Sequence, residues 1–144
     1  MNHLIKRITI SHAGYGITLL RIVAGLTFAA HGAQKLFGWF GGYGLSGTGQ
    51  WMESIGLAPG FLMALLAGSG EFFGGLALIL GLLVRPASVV LSTAMLVAIF
   101  AVHIGNGFFM SNNGYEYALV LLAISLALLS EGGGRLSLDE RLSR

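Results

Sequence analysis

Charged residues, cysteine and proline are all scarce in this sequence. Asp, Glu, Lys and Arg make up 10% of its 144 residues, whereas 55% of the residues are hydrophobic. Soluble domains carry about 25% charged residues, so this chain has too little charge to cover a water-facing surface. The long apolar runs also exclude disorder, because disordered chains lack apolar residues. The sequence therefore indicates an integral membrane protein.

The absence of cysteine excludes disulfides, thiolate nucleophiles, iron–sulfur clusters and thiolate zinc sites together. Any redox chemistry would therefore depend on a bound cofactor or substrate. The formal net charge is +2, but the basic residues form no stripe along the chain. We therefore expect no nucleic-acid partner and expect membrane lipid as the surroundings of the protein.

Chain length limits the number of membrane crossings. Because a spanning helix needs about 20 residues, a chain of 144 residues accommodates four spans with their connections. The predicted fold class is all-α, an integral membrane four-helix bundle that forms one domain over residues 1–144. The apolar segments that predict its spans lie at about residues 15–39, 61–84, 86–105 and 115–130.

The segments outside these spans are richer in glycine and charge. Residues 41–60 are predicted to form an outer loop, and the tail from Glu131 is predicted to be a solvent-side appendage. Arg21 and Arg85 lie near cytoplasmic helix ends, where we expect their side chains to reach the membrane interface.

The distribution of Lys and Arg predicts the orientation. By the positive-inside rule, the side richer in these residues faces the cytoplasm. Lys35 alone falls on one side of the predicted spans, which places both termini of this multi-pass membrane protein in the cytoplasm. The basic residues on the opposite side are Lys6, Arg7, Arg21, Arg85, Arg135, Arg141 and Arg144.

Five ionisable residues lie within or at the ends of the predicted spans. Such residues are costly in a membrane, and each is a candidate functional residue by default. Because successive helices alternate in direction, all five are predicted to converge near the outer end of the bundle. They are His31, Lys35, Glu71, His103 and Glu116.

Small residues share helix faces with the two acids and recur on the first helix. Such residues let helix backbones approach closely in lipid, so we expect both acids to lie on packing faces. The sets are Gly25, Ala29 and Gly32 on the first helix; Ala64, Gly68, Glu71 and Gly75 on the second; and Glu116, Val120, Ala123 and Ala127 on the fourth.

Two other interpretations of the polar cluster stay open. Polar contacts between helices could simply hold the bundle together, each contributing about 0.6 kcal/mol. His31 and His103 could instead ligate haem, or join Glu71 and Glu116 in a mixed nitrogen–oxygen metal site. The Glu-x-x-His motif of di-iron bundles is absent, and Lys35 would repel a cation. We therefore assign no metal ligand.

Aromatic residues are concentrated at the same predicted end. Most are expected to form an interfacial aromatic belt. Flat apolar walls beside His, Lys and Glu would also suit a quinone head group, which needs stacking surfaces and hydrogen-bonding groups at its two oxygens. The aromatic residues are Phe37, Trp39, Phe40, Tyr43, Trp51, Phe108, Phe109, Tyr115 and Tyr117.

Five segments resemble the signature blocks of the DoxX family, in the order in which the family has them. They are His31–Gly38 (HGAQKLFG), Gly70–Leu78 (GEFFGGLAL), His103 with Asn106–Phe109 (NGFF), Gly114–Ala118 (GYEYA) and Gly134–Asp139 (GRLSLD). The resemblance extends from about Leu20 to Leu142. It implies a four-helix bacterial inner-membrane protein, related to the small membrane subunit of a thiosulfate:quinone oxidoreductase and to members linked with quinone or oxidative-stress responses.

These observations lead to the hypothesis of a quinone-linked oxidoreductase component. Lys35 and His31 would donate hydrogen bonds to the quinone oxygens, Glu71 or Glu116 would exchange protons, and His103 would complete the pocket. The catalytic assignment is therefore Glu71, Glu116 and His31. The residues assigned to substrate binding are Lys35, His103, Gln34 and Asn106.

Without cysteine or a flavin site, this chain would need a partner redox subunit to receive electrons, and the sequence leaves open whether it is itself an enzyme or forms a homo-oligomer. The alternative function is a non-enzymatic membrane scaffold or a small proton-coupled carrier that uses the buried acids as a relay.

Overall fold

A computed structural model describes residues 14–144, which are helical with no β-strand. Short 3₁₀ turns connect several of the helices at the end that carries His31. The α-helices are α1 (Tyr15–Phe37), α2 (Gly44–Ser54), α3 (Gly60–Leu80), α4 (Val84–Val97), α5 (Glu116–Glu131) and α6 (Leu138–Leu142).

Three helical segments of the described part of the chain are long and apolar enough to cross a membrane. They are Tyr15–Phe37, Gly60–Leu80 and Val84–Asn106. The fourth predicted span corresponds to α5, whose 16 residues are fewer than the roughly 20 that a spanning helix needs. The fourth crossing and the orientation of the termini therefore stay predictions. Lys6 and Arg7, which entered the orientation argument, lie outside the described residues.

Helices α1 and α3 pack closely through small residues, as the sequence predicts. A side-chain carbon added to Gly25 would lie 2.7 Å from the carbonyl oxygen of Gly75. One added to Gly75 would collide with the backbone of Ala29, and one added to Gly32 with the backbone of Phe72. Dispersion contacts between the two backbones thus replace the side-chain packing that larger residues would give.

Helix α5 presents a different face to the bundle from the one predicted. Val120 and Ala123 are exposed, and Glu116 is half-buried. The prediction was wrong for α5 because a lipid-facing side is as apolar as a buried one, so spacing of small residues alone does not separate them. The buried residues are Ala118, Leu121, Leu122, Ser125 and Leu128.

The predicted outer loop contains a helix. Residues Gly44–Ser54 form α2, whose buried positions are Thr48, Gly49 and Met52. Glycine disfavours helix by about 1 kcal/mol per residue, which is why the composition indicated a loop. Tertiary packing overrides this preference, because the absence of a side chain at Gly49 lets α2 meet the start of α3 at Phe61.

The C-terminal tail is docked on the bundle and is not a free appendage. Asp139 accepts hydrogen bonds from the backbone N–H groups of Leu83 and Val84 at 2.8 and 2.9 Å, which caps the start of α4. The Thr18 hydroxyl on α1 donates to the carbonyl of Arg135. These contacts join the tail to two helices.

Arg21 is buried instead of reaching the interface. It is 1% exposed and donates hydrogen bonds to the carbonyls of Leu78 (2.6 Å), Ile79 (3.0 Å) and Leu136 (3.3 Å). Carbonyls in the last turn of a helix lack partners within the helix. Arg21 therefore donates hydrogen bonds to carbonyls at the end of α3, and it also donates one to the tail. Arg85, for which the sequence predicts the same interfacial position, is exposed, which is consistent with that prediction.

Candidate functional site

Lys35 and Glu71 form an ion pair between α1 and α3. The Lys35 Nζ lies 2.6 Å from Glu71 Oε2, and the two side chains are 24% and 6% exposed. Gly68, one turn before Glu71, lets the two helices approach, because a side-chain carbon there would lie 2.8 Å from Leu36. Close backbone packing therefore places the carboxylate within reach of the lysine.

A pocket of about 300 Å³ opens beside this ion pair, between α1, α3, α4 and α5. This volume lies at the lower end of the range for small-molecule sites, about 300–1,000 Å³. Its walls are largely apolar, with a few polar groups converging on one space. The lining residues are Phe28, His31, Lys35, Glu71, Met95, Ala98, His103, Met110, Asn113, Gly114, Tyr117, Ala118 and Leu121.

His31 contributes an imidazole ring to one wall of the pocket. It lies one helical turn before Lys35, so both side chains share a face of α1. The ring centroids of His31 and Tyr117 are 6.0 Å apart, which connects α1 to α5 across the pocket.

His103 reaches the pocket from an irregular end of α4. After Val97 the helix continues as a π-helical segment, Ala98–His103, and then as a 3₁₀ turn, Ile104–Asn106. Such π-helical segments are rare in proteins, and those that occur are often found at functional sites. The His103 Nδ1 lies 2.9 Å from the carbonyl oxygen of Asn113, so the ring is held against the loop that precedes α5.

Three predicted site residues do not line the pocket and bind backbone groups nearby. Gln34 donates to the carbonyl of Phe40 at 3.2 Å. Asn106 donates to the carbonyl of Asn113 at 3.1 Å, and Glu116 accepts from the backbone N–H of Met110 at 2.8 Å. The structure thus brings His31, Lys35, Glu71 and His103 together, whereas the other three hold the loops around them.

The pocket walls differ from those expected. Of the aromatic residues singled out from the sequence, only Tyr117 lines the pocket. Trp39, Phe40 and Tyr43 are 55%, 72% and 81% exposed, as an interfacial belt requires. The remaining walls come from Phe28, Met95 and Met110, among others, and an apolar residue of this kind carries no sequence signal that separates a pocket wall from a lipid contact.

Within residues 14–144, no group of three His, Asp or Glu side chains is placed to hold a metal ion. The mixed site that would combine His31, Glu71, His103 and Glu116 does not form. Glu116 is engaged with the Met110 backbone, and Glu71 is engaged with Lys35.

Comparison with known proteins identifies the family. The DoxX family model matches residues 16–104. An uncharacterized protein of Haemophilus influenzae is 37% identical over 130 residues, which cover 88% of this chain and 90% of the relative. No solved structure matches the chain significantly.

Two further relatives carry descriptive names. The Bacillus subtilis protein named "Putative oxidoreductase CatD" is 36% identical over 124 residues, covering 86% of this chain and 84% of the relative. The Escherichia coli "Inner membrane protein YqjF" is 30% identical over 135 residues, covering 90% and 93% respectively. With its apolar spans and its match to the family model, the chain is a membrane protein that belongs to the DoxX family.

Proposed function

We propose that the protein is a membrane component of a quinone-linked oxidoreductase and that a quinone-like molecule binds in the pocket beside Lys35 and Glu71. The observation that carries this proposal is the pocket itself, in which apolar walls surround four ionisable side chains from three helices. Apolar walls with a few convergent polar groups are typical of small-molecule sites.

The donor set fits the two oxygens of such a molecule. Lys35 is an ammonium with three N–H donors, and one of them serves Glu71. Its remaining donors are available to a ligand oxygen. His31 supplies a second polar group on the same wall, and the aromatic residues Phe28 and Tyr117 also line the pocket. The quinone would supply the redox chemistry, and the chain would bind, orient and shield it from water.

Of the two carboxylates considered for proton exchange, Glu71 is the one that faces the pocket. It is 5% exposed, and its contact with Lys35 keeps a proton acceptor next to a proton donor. We assign proton exchange at the ligand to Glu71, assisted by His31. The other three predicted site residues do not contact the ligand in this proposal. They hold the backbone around the pocket, and they are Glu116, Asn106 and Gln34.

The cellular setting forms part of the same proposal. The name of the Escherichia coli relative supports an inner-membrane location, and the name of the Bacillus subtilis relative supports an oxidoreductase role. Because the chain contains no cysteine, we propose that a partner redox subunit exchanges electrons with the bound molecule. Both termini would face the cytoplasm.

The test is ligand binding by the purified protein in lipid nanodiscs. We expect the lipid extract of gently purified protein to contain quinone beyond that of empty nanodiscs, and Lys35→Met and Glu71→Gln to lose this excess. Glu131→Gln, the same chemical change at the far end of α5, is the matched control and should retain it. Equal quinone content in all samples would refute the proposal.

A scaffold is the second candidate, because the Lys35–Glu71 pair joins α1 to α3. In that case the pair would serve only to connect helices. A double variant, Lys35→Met with Glu71→Met, replaces the pair by apolar contact. If this variant complemented a deletion strain fully, the scaffold function would be favoured over the quinone-linked one.

A further inference from the structure

The hydrogen bond of His103 determines which of its ring nitrogens carries the proton. Its Nδ1 lies 2.9 Å from the carbonyl oxygen of Asn113. A carbonyl oxygen can only accept a hydrogen bond, so Nδ1 must be the donor. In the neutral ring, Nε2 then carries a lone pair and can only accept.

The same carbonyl is held from a second side. Asn106 donates to it at 3.1 Å, so its two lone pairs are both engaged and its position is fixed relative to His103. The turn just before Asn113 is held by Glu116, which accepts a hydrogen bond from the Met110 backbone N–H. The tautomer of His103 is therefore set by backbone geometry and does not depend on a ligand.

The pocket consequently presents acceptors as well as donors. Within residues 14–144, His103 Nε2 and Glu71 Oε1 have no hydrogen-bond partner, and both residues line the pocket. Lys35 supplies N–H donors on the α1 side. A complementary ligand needs a hydroxyl that can donate to an acceptor and an oxygen that can accept from Lys35.

We infer that the pocket prefers the reduced, hydroxyl-bearing form of its ligand, an aromatic diol of the hydroquinone class, and that His103 Nε2 accepts the hydrogen bond of one hydroxyl. This inference rests on the proposed function and specifies its ligand. His103 is then a direct ligand contact, and the Asn113 carbonyl is the group that orients it.

A quinone satisfies the pocket less well. Its two carbonyl oxygens accept from Lys35 but cannot donate to His103 or Glu71, so at least one acceptor in the pocket stays unpaired. Once the ligand shields such an acceptor from water, leaving it unpaired costs more than the net gain of a typical hydrogen bond. We therefore expect the diol to bind about tenfold more tightly than the matching quinone.

The experiment compares three probes of nearly the same shape. Tetramethyl-1,4-benzoquinone has all four ring positions blocked, so the Lys35 amine cannot add to it. Its hydroquinone carries two hydroxyls, and the dimethyl ether of that hydroquinone keeps both oxygens without an O–H. Dissociation constants are measured anaerobically at pH 8 by equilibrium dialysis of the full chain in nanodiscs, with empty nanodiscs as the blank.

For the wild-type chain we expect the hydroquinone to bind about tenfold more tightly than both the quinone and the ether. His103→Asn places an amide where Nδ1 stands, so the bond to Asn113 can persist while the acceptor at Nε2 is lost. We expect the preference of this variant for the hydroquinone to fall from about tenfold to about threefold, because Glu71 Oε1 is the acceptor that remains.

Asn106→Ala is the matched control. It removes the other side chain on the Asn113 carbonyl without touching a pocket wall, so the preference for hydroquinone should survive. If His103→Asn and Asn106→Ala lost the preference equally, the effect would come from the loop and the inference would be wrong.

The outcomes separate this inference from the proposed function. If the quinone bound as tightly as the hydroquinone or more tightly, the preference would be refuted while the pocket remained a quinone site. If none of the three probes bound beyond the empty nanodiscs, both the proposed function and the inference would fail.

Discussion

Two basic residues on the same helix, one buried and one half-buried, differ in what surrounds them. Arg21 and Lys35 are 14 positions apart on α1, which corresponds to about 21 Å along the axis. Arg21 is 1% exposed and is bonded to three backbone carbonyls. Among residues 14–144, Lys35 has one side-chain partner, Glu71, and it lines a pocket.

The contrast separates a structural charge from a candidate functional one. The planar guanidinium of arginine suits several fixed acceptors at once, whereas the lysine ammonium is a compact group with freely rotating donors. At the Arg21 end the acceptors are backbone groups of α3 and the tail, so the charge holds elements together. At the Lys35 end donors remain beside a cavity, which is what ligand binding requires.

The largest expected effect is on stability, at the Arg21 end. Arg21→Met leaves the carbonyls of Leu78, Ile79 and Leu136 without this donor, so we expect the free energy of unfolding to fall by about 3 kcal/mol. Thermal melting of the purified protein in detergent measures the change. Arg85→Met, an exposed arginine at the start of α4, is the control. If both variants had the same melting temperature, Arg21 would not be the structural charge described.

The next effect is on binding, at the Lys35 end. Glu71→Gln removes the charge that faces Lys35, and we expect hydroquinone affinity to fall about tenfold while the melting temperature changes less than in Arg21→Met. The double variant with methionine at positions 35 and 71 should recover stability, since well-packed apolar pairs often replace buried ion pairs. Recovery of ligand affinity in that variant would contradict the role given to the pair.

A smaller effect is expected where the tail caps α4. Asp139→Ala removes the acceptor for the Leu83 and Val84 N–H groups, so the free energy of unfolding should fall by about 1 kcal/mol. Ligand affinity should not change, because Asp139 lies at the Arg21 end. Glu140→Ala, which removes only an exposed pair with Arg144, should have almost no effect. Loss of ligand binding in Asp139→Ala would show that the two ends are coupled.

The smallest effect concerns the loop over the pocket. Glu116→Gln keeps an oxygen for the Met110 N–H but removes its charge, and charge-assisted hydrogen bonds are stronger than neutral ones. We expect hydroquinone to dissociate about twofold faster, with little change in melting temperature. Stopped-flow dilution measures the rate, and Glu131→Gln at the other end of α5 is the control. A change in melting temperature without a change in rate would oppose this role.

Much of the architecture could be predicted because the membrane imposes strong patterns. Apolar runs located the main helices, and the cost of charge in lipid pointed to His31, Lys35, Glu71 and His103, which the structure brings together. The packing of α1 on α3 followed from Gly25, Gly32 and Gly75.

What could not be predicted depends on the path of the backbone. The partners of Gln34, Asn106 and Glu116 are carbonyl or N–H groups of loops, whose positions no periodicity records. Arg21 resembled an interfacial arginine because its acceptors come from α3 and from the distant tail. Helix α2 was missed because its glycines permit a close contact with α3 that outweighs their low helix propensity.

The central claim is that ligand binds in the pocket beside Lys35 and Glu71, and photolabelling tests it most directly. A tetramethylhydroquinone analogue in which an azido group on the ring replaces one methyl group would be photolysed with the protein in nanodiscs, so that loss of N2 leaves a ring nitrogen that bonds to a neighbouring side chain. The labelled residues would be identified by mass spectrometry. We predict labels at Met95, Met110 and Tyr117 that disappear with excess unmodified hydroquinone. Labels confined to the exposed Trp39, Phe40 and Tyr43, unaffected by the competitor, would contradict the account.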